Sequence, residues 1–408
     1  MAKVTIAILL MYSAISVAAT ELPKAVDLGV RHQASGLNSS FPGHLQNFEQ
    51  YIDHYRQVVS NARTDLTAAN REWVIEGNTP FQLKPAAHCE KRRSEKYQRG
   101  IILTHGLTDS VYQMRHLAKY FQRQCFYVMV VLLPGHGARP GDLLEVLWQD
   151  WSAATDFVFE QMAQRAEDVY MAGYSMGATL TLLKASQDSR VKGVFAFSPA
   201  VKISSLAAFA GVIDLLGGLS ESMRWLTVAN DEDYFKYESF PHNAVSQIHQ
   251  LLKAAAKSIA KHGINIPVFM VASAQDSTVE VEKAIELMKT FKHTKNRMLL
   301  YSQYQRSEPK PIRVINSHFP AKRQLSLAHI GLSIPGGDPY YGENGAYRNC
   351  IHYYDGDNED YIRCKRDKQI LVGETTPENL QQGIMARATY NFLYRQMLIE
   401  LGDFIKAL

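Results

Sequence analysis

From Gly100 onward, short uniformly apolar runs alternate with longer stretches whose apolar positions recur three or four residues apart. The short runs predict strands at Ile101–Leu103, Phe126–Leu133, Asp168–Tyr174, Val191–Phe197, Ile266–Ala272 and Arg297–Tyr301. The longer stretches predict helices over about 111–123, 143–165, 176–187 and 280–291. Strands that are apolar throughout, rather than on alternate positions, are buried on both faces. The pattern therefore predicts an α/β fold with a mostly parallel central sheet covered by helices on both sides.

Outside that alternation the pattern is weaker. Residues 21–50 read as loop with a short helix, and 46–70 as an amphipathic helix with Phe48, Tyr51, Ile52, Tyr55, Val58 and Val59 on one face. Glu72 to Leu83 alternates weakly, as a strand pair does. Between about 201 and 263 the strand–helix rhythm breaks, with an apolar helical stretch, an aromatic and acidic stretch, then a helix. An insertion of this kind reads as a helical cap over the sheet edge, with Leu206, Phe209, Val212, Ile213, Leu215 and Leu216 as candidate lining for an apolar pocket. Residues 377–408 carry a strong amphipathic helical pattern. The expected organisation is a signal peptide at 1–19, an N-terminal extension at 20–99, a core at 100–200 and 264–408, and the cap at 201–263.

The N-terminus adds a location. Lys3 precedes an apolar stretch to about Ala19, small residues follow at Val17-Ala18-Ala19, and Thr20-Glu21 are polar. That order predicts cleavable export, to the periplasm or outside the cell, with an uncleaved anchor as the alternative. The four cysteines, Cys89, Cys125, Cys350 and Cys364, are even in number behind an export signal, which favours disulfides. Three pairings are possible; Cys350 with Cys364 closes the most local loop and leaves Cys89 with Cys125. They lack close Cys-x-x-Cys spacing, so neither metal nor cofactor is expected. A net charge of +4 on 408 residues gives no case for nucleic acid, and Lys91-Arg92-Arg93 reads as a solvated loop.

Gly173-Tyr174-Ser175-Met176-Gly177 is a G-x-S-x-G motif between a predicted strand and a predicted helix. On such a turn the serine hydroxyl projects above the sheet, and the following helix offers free N–H groups and its positive dipole end. A serine becomes nucleophilic only with a neighbouring base, itself oriented by a carboxylate. Asp276 follows the strand ending at Ala272 and is the candidate acid; its plainer reading is a helix cap, and Asp231 and Asp233 fall in the presumed cap. His329, in an apolar loop, is the first-choice base; His318 stays open as the alternative, His352 is a third choice, and His293 comes too early. Met176 N–H, and Leu107 N–H from the His105-Gly106-Leu107 loop, are the candidate oxyanion donors. Asp355-Gly356-Asp357-Asn358-Glu359-Asp360 resembles a calcium loop. It lacks glycine at the sixth position and has Arg366 at the twelfth, so it reads as a solvated acidic turn.

Taken together, His105-Gly106, Pro134-Gly135-His136-Gly137, residues 173–177 and Asp276 followed by Val279 resemble the monoacylglycerol lipase and lysophospholipase-like branch of the α/β hydrolases, which overlaps the serine aminopeptidase family. The resemblance spans about 100–199 plus Asp276 and a late histidine. It departs from that branch at Leu133-Pro134, where an acidic and a basic residue are usual, and in the 53 residues between Asp276 and His329, where about 30 are usual. The resemblance implies hydrolysis of a small-molecule acyl ester or lipid through an acyl-enzyme, with transient contact to a micelle or membrane surface. The same machinery also suits a peptidase or amidase. A non-catalytic binding protein on this scaffold is disfavoured by the serine–acid–histidine order.

Overall fold

The apolar runs assemble into one eight-stranded sheet in a computed structural model that describes residues 28–89, 95–203, 221–354 and 359–408. In chain order the strands are β1 (Phe81–Leu83), β2 (Tyr97–Thr104), β3 (Tyr127–Val131), β4 (Ala166–Tyr174), β5 (Val191–Phe197), β6 (Trp225–Thr227), β7 (Phe240–Pro241), β8 (Val268–Ser273), β9 (Arg297–Ser302), β10 (Ile312–Asn316), β11 (Leu371–Gly373) and β12 (Met385–Arg387). The main sheet runs β1-β3-β2-β4-β5-β8-β9-β10, and only the β1–β3 pair is antiparallel. Every residue of β3 and of β8 is buried, as strands covered on both faces require.

The helices are α1 (Phe48–Ala62), α2 (Arg71–Asn78), α3 (Arg115–Arg123), α4 (Trp148–Arg165), α5 (Met176–Gln187), α6 (His242–His262), α7 (Val281–Thr290), α8 (Glu359–Arg366), α9 (Pro377–Leu380) and α10 (Tyr394–Ala407). On one face α4, α5 and α6 pack against one another. On the other, Phe121 of α3 and Phe404 of α10 meet edge-on over Phe195 of β5, and Tyr120 donates to the Leu398 carbonyl. This is the predicted α/β-hydrolase architecture. Strands β4 and β5 and helices α5 and α7 fall within a residue or two of expectation, because strong periodicity and clear turn residues bound them.

Several expectations on the flanks are corrected. Residues 72–83 are not a strand pair: Arg71–Asn78 is a helix burying Val74 and Ile75, and only Phe81–Leu83 is a strand, on the sheet edge. A helix this short gives periodicity too little length to register. The helix predicted over 46–70 stops at Ala62. Residues 377–408 are not one helix, being divided into α9, β12 and α10. The strand β10 lies outside the predicted elements; its buried positions, Ile312 and Ile315, fit neither a continuous nor an alternating pattern. The proposed signal peptide, the Lys91-Arg92-Arg93 run, the pocket-lining candidates at 206–216 and the Asp355–Asn358 part of the acidic turn lie outside the described residues.

Beyond β10 the chain changes character. Residues 320–391 contain short elements, the two-stranded parallel pair β11–β12, and a cluster in which Tyr340, Tyr341, Tyr347 and Tyr390 pack with Tyr112 and Phe235. Both disulfides pair as the local-loop reading prefers, Cys89 with Cys125 and Cys350 with Cys364. His88 lies beside the first bridge, whose two sulfurs are bonded to each other and offer no thiolate. Disulfides fit a compartment that oxidises thiols. Among the described residues no helix is long and apolar enough to cross a membrane.

Candidate active site

Ser175 stands between β4 and α5 with φ 52° and ψ −116°, a left-handed backbone that a non-glycine residue adopts at a cost of about 1–3 kcal/mol. Two glycines allow so sharp a turn. A Cβ on Gly173 would lie 2.2 Å from the Gly177 carbonyl, and one on Gly177 would lie 2.2 Å from the Thr104 carbonyl at the end of β2. Strand, turn and helix therefore press backbone on backbone. Met176 is the first residue of α5, so its N–H has no partner within the helix.

The loop after β2 approaches the serine as closely. A Cβ on Gly106 would stand 3.1 Å from Ser175 Cβ and 2.5 Å from the Asp109 carboxylate, so the loop carrying Leu107 fits only with glycine there. His105 fastens that loop. Its Nε2 accepts the Leu133 N–H at 3.0 Å, which puts the ring proton on Nδ1, 2.8 Å from the Gly106 carbonyl. Burial drives the His105 imidazole well below its ordinary value, and His136, its ring centre 4.9 Å away and tilted by 58°, is pushed by burial to about 4. Both rings are neutral braces. Beside them Lys236 Nζ reaches the Asp109 carboxylate at 2.7 Å and Thr108 Oγ1 at 2.8 Å, fixing the outer side of the loop.

Asp276 lies in the turn after β8. Its Oδ1 accepts the N–H groups of Thr278 and Val279, at 2.9 and 3.0 Å, and its Oδ2 stands 2.6 Å from His329 Nδ1. The cap-like hydrogen bonds of its plainer reading are thus present on one oxygen, while the other faces the imidazole. A carboxylate accepts, so Nδ1 carries the proton and bare Nε2 faces Ser175 Oγ at 3.0 Å. All three side chains are buried.

The structure therefore brings Ser175, Asp276 and His329 together, with Leu107 and Met176 on the two segments flanking the serine. The rival histidines are elsewhere. His318 Nδ1 pairs with the Leu325 carbonyl, and His352 Nε2 with the Met385 carbonyl; burial pushes His352 to about 4. Asp231 caps backbone N–H groups of Glu238 and Ser239. Asp233 is buried against the Tyr341 hydroxyl, and burial raises its carboxyl to about 7.

Two residues that sequence reading did not single out complete the surroundings of His329. Glu374 Oε2 accepts the His329 backbone N–H at 3.0 Å, and Arg387 pairs with Glu374. The His329 carbonyl in turn accepts the Tyr174 and Ser198 hydroxyls. An apolar cavity of about 510 Å³ runs between α5, α6 and α7, beginning at Thr179 and Ala200. Its lining does not include Ser175, Asp276 or His329, but it touches the elbow's backbone: the Ala200 N–H donates to the Ser175 carbonyl and the Thr179 hydroxyl to the Ala200 carbonyl.

The parallel sheet and its strand-to-helix elbow define an α/β hydrolase. Within that class the chain belongs to the serine aminopeptidase S33 family, whose profile matches residues 95–305, more than half of the chain. It is similar to a thermostable monoacylglycerol lipase from Bacillus sp. (strain H-257), at 27% identity over 186 residues, 44% of this chain and 71% of the relative. Solved structures similar to it include a metagenome-derived lipolytic enzyme described with LipS and LipT (21% identity, TM-score 0.45, 54% of this chain and 86% of that one). Another is a soluble variant of monoglyceride lipase from Saccharomyces cerevisiae (13% identity, TM-score 0.43, 55% and 82%).

Proposed function

We propose that the protein is an exported serine esterase that cleaves a lipid-like carboxylic ester through an acyl-enzyme. The observation that carries this reading is the relay from Asp276 Oδ2 to His329 Nδ1 at 2.6 Å and from His329 Nε2 to Ser175 Oγ at 3.0 Å. Ser175 Oγ attacks the ester carbonyl as His329 Nε2 takes its proton, and Asp276 stabilises the imidazolium that forms. The N–H groups of Met176 and Leu107 receive the oxyanion. His329 then gives its proton to the departing alcohol. Water, deprotonated by the same nitrogen, attacks the acyl-serine and releases the carboxylic acid and free serine.

The substrate class rests on two supports: the similarity to a monoacylglycerol lipase, and the cavity of about 510 Å³ beginning at Ala200, whose size and apolar lining suit an acyl chain. We assign residues 201–241 of the predicted 201–263 insertion to the cap, because α6 packs with α4 and α5, and 1–19 to the export signal, with contact to micelles or membrane surfaces transient.

A fluorophosphonate probe is expected to label Ser175, and Ser175→Ala to lower esterase turnover by about a thousandfold or more with unchanged circular dichroism. Full activity in that variant would refute the mechanism. A panel of p-nitrophenyl and monoacylglycerol esters of rising chain length, run beside aminoacyl amides, tests the substrate class. Faster cleavage of the amides would make the protein a peptidase or amidase instead.

A further inference from the structure

The histidine of this site arrives in a stretch where no regular strand or helix holds it. His329 opens a three-residue 3-10 turn, and its backbone is tied at both ends by buried side chains. The Tyr174 and Ser198 hydroxyls donate to its carbonyl, and its N–H donates to Glu374 Oε2 at 3.0 Å. Glu374, wholly inaccessible to solvent, directly follows β11, and Arg387 ends β12. Arg387 Nε bonds Glu374 Oε1 at 2.6 Å. A second guanidinium nitrogen is 3.1 Å from Glu374 Oε2 and 2.6 Å from Thr278 Oγ1. Thr278 is the residue whose N–H is bound by Asp276 Oδ1.

We propose that Glu374 and Arg387 are positioning residues for the hydrolytic reaction, a buried ion pair that sets the distance between the imidazole of His329 and the carboxylate of Asp276. The proposal rests on the reading of His329 as the base. One end of the pair grips the histidine backbone and the other grips the acid's own turn, so two residues 53 positions apart are referred to a single two-stranded unit. That unit is itself fastened to the segment leading to His329: the Leu325 N–H donates to the Val372 carbonyl, the Val372 N–H to the Arg323 carbonyl, and the Glu374 N–H to Ser326 Oγ. Both residues lie beyond the stretch that matches the family profile, residues 95–305.

Electrostatics agree with the geometry. Burial alone would raise the Glu374 carboxyl; the Arg387 charge and hydrogen bonds, with the His329 and Thr375 N–H groups, outweigh it and hold the carboxyl well below its ordinary range. A buried ion pair gives little net stability over an apolar pair of the same volume, so stability alone does not account for charge here. The charged and polar groups around His329 are Asp276 from the turn after β8, Tyr174 and Ser175 from β4 and the elbow, Ser198 after β5, and Glu374 with Arg387 from the β11–β12 unit; Asp109, on the loop that Gly106 brings against the serine, is paired with Lys236.

The test uses Glu374→Gln and Glu374→Ala in the full chain, with turnover expressed per serine labelled by a fluorophosphonate. Glutamine keeps an acceptor for the His329 N–H but removes the charge, leaving Arg387 uncompensated beside the turn of Asp276, the partner of the imidazole. A net positive charge there disfavours imidazolium, so the acid limb of kcat/KM moves to lower pH. The His329 ring protons followed by NMR in a Ser175→Ala background shift their titration the same way. Alanine removes the acceptor too, and kcat per labelled serine falls about tenfold to a hundredfold with KM within about threefold. Glu374→Asp restores part of kcat. An unmoved acid limb in the glutamine variant, together with unchanged kcat per labelled serine in either variant, would overturn the proposal. If Glu374→Ala does not fold, the isosteric glutamine variant decides through its pH limb and NMR titration. Wild type that fails to be labelled, or Ser175→Ala that keeps turnover, instead sinks the esterase reading itself.

Discussion

Ser175 is fixed by backbone and His329 by side chains. Around the serine, Gly173 packs on Gly177, Gly177 packs on the end of β2, and Gly106 brings the neighbouring loop against Ser175 Cβ. These contacts involve residues close in sequence or on adjacent strands. Around the histidine, a glutamate 45 residues on binds the N–H, two hydroxyls from distant segments bind the carbonyl, and an arginine joins the assembly to the acid's turn. A site half built from backbone contacts is carried wherever its sheet folds. A site half built from side chains depends on a separate region folding correctly first.

The largest effect that sharpens this contrast is at the histidines. His329→Ala is expected to lower turnover about a thousandfold or more, whereas His318→Ala and His352→Ala stay within about threefold, as read by steady-state ester hydrolysis. Comparable losses at His318 would erase the distinction.

Next come the two disulfides. The chain-entropy model assigns about 4 kcal/mol to the Cys89–Cys125 bridge and about 3 kcal/mol to Cys350–Cys364. Paired serine substitutions should therefore lower stability to denaturant similarly. Turnover per labelled serine should fall only when Cys350–Cys364 is removed, because that bridge packs on β12: Asn349, beside Cys350, accepts the Arg387 N–H, and Cys364 Sγ lies 3.2 Å from the Met385 carbonyl. Equal turnover losses would show that the bridge has no special link to the histidine side.

A smaller effect concerns the serine side and acid. The folded value of His136 lies near 4, below its unfolded value, so the unfolded chain binds more protons. Stability from this group is full above about pH 6.5 and declines as pH falls toward 4, by about 3 kcal/mol. Asp233, raised in the folded state to about 7, acts oppositely, gaining stability as pH falls. The measurement is therefore differential: His136→Asn, which keeps a donor for the Pro134 carbonyl, should lose less than wild type between pH 6.5 and 4 in denaturant titrations. A parallel loss in both proteins would remove His136 from the account.

The smallest expected effect is at Tyr174→Phe, which deletes one hydroxyl donor to the His329 carbonyl. A cost of about 1–2 kcal/mol in stability is expected, with a severalfold loss of kcat.

This division also explains what the sequence made legible. The elbow could be read because its signal is contiguous: an apolar strand, two glycines and a helix within residues 166–187. Asp276 could be placed because a buried strand ends three residues before it. The histidine could only be ranked among candidates. Its position depends on β10, hidden by an irregular burial pattern, and on β11–β12, three residues each and too short for periodicity. Glu374 and Arg387 carry no local signal, since their partnership exists only once Gly373 and Arg387 are in register across two strands.

The Cys350–Cys364 bridge finally bears on how the protein is made. Material produced in a reducing cytosol would lack both bridges and the stability they add, and where its sheet still formed, the serine elbow, held by backbone contacts, would form with it. Its imidazole would rest on a segment missing its covalent tie. Negative screens on such preparations would say more about the host's redox state than about the enzyme, so the first assays belong on protein recovered from an oxidising compartment.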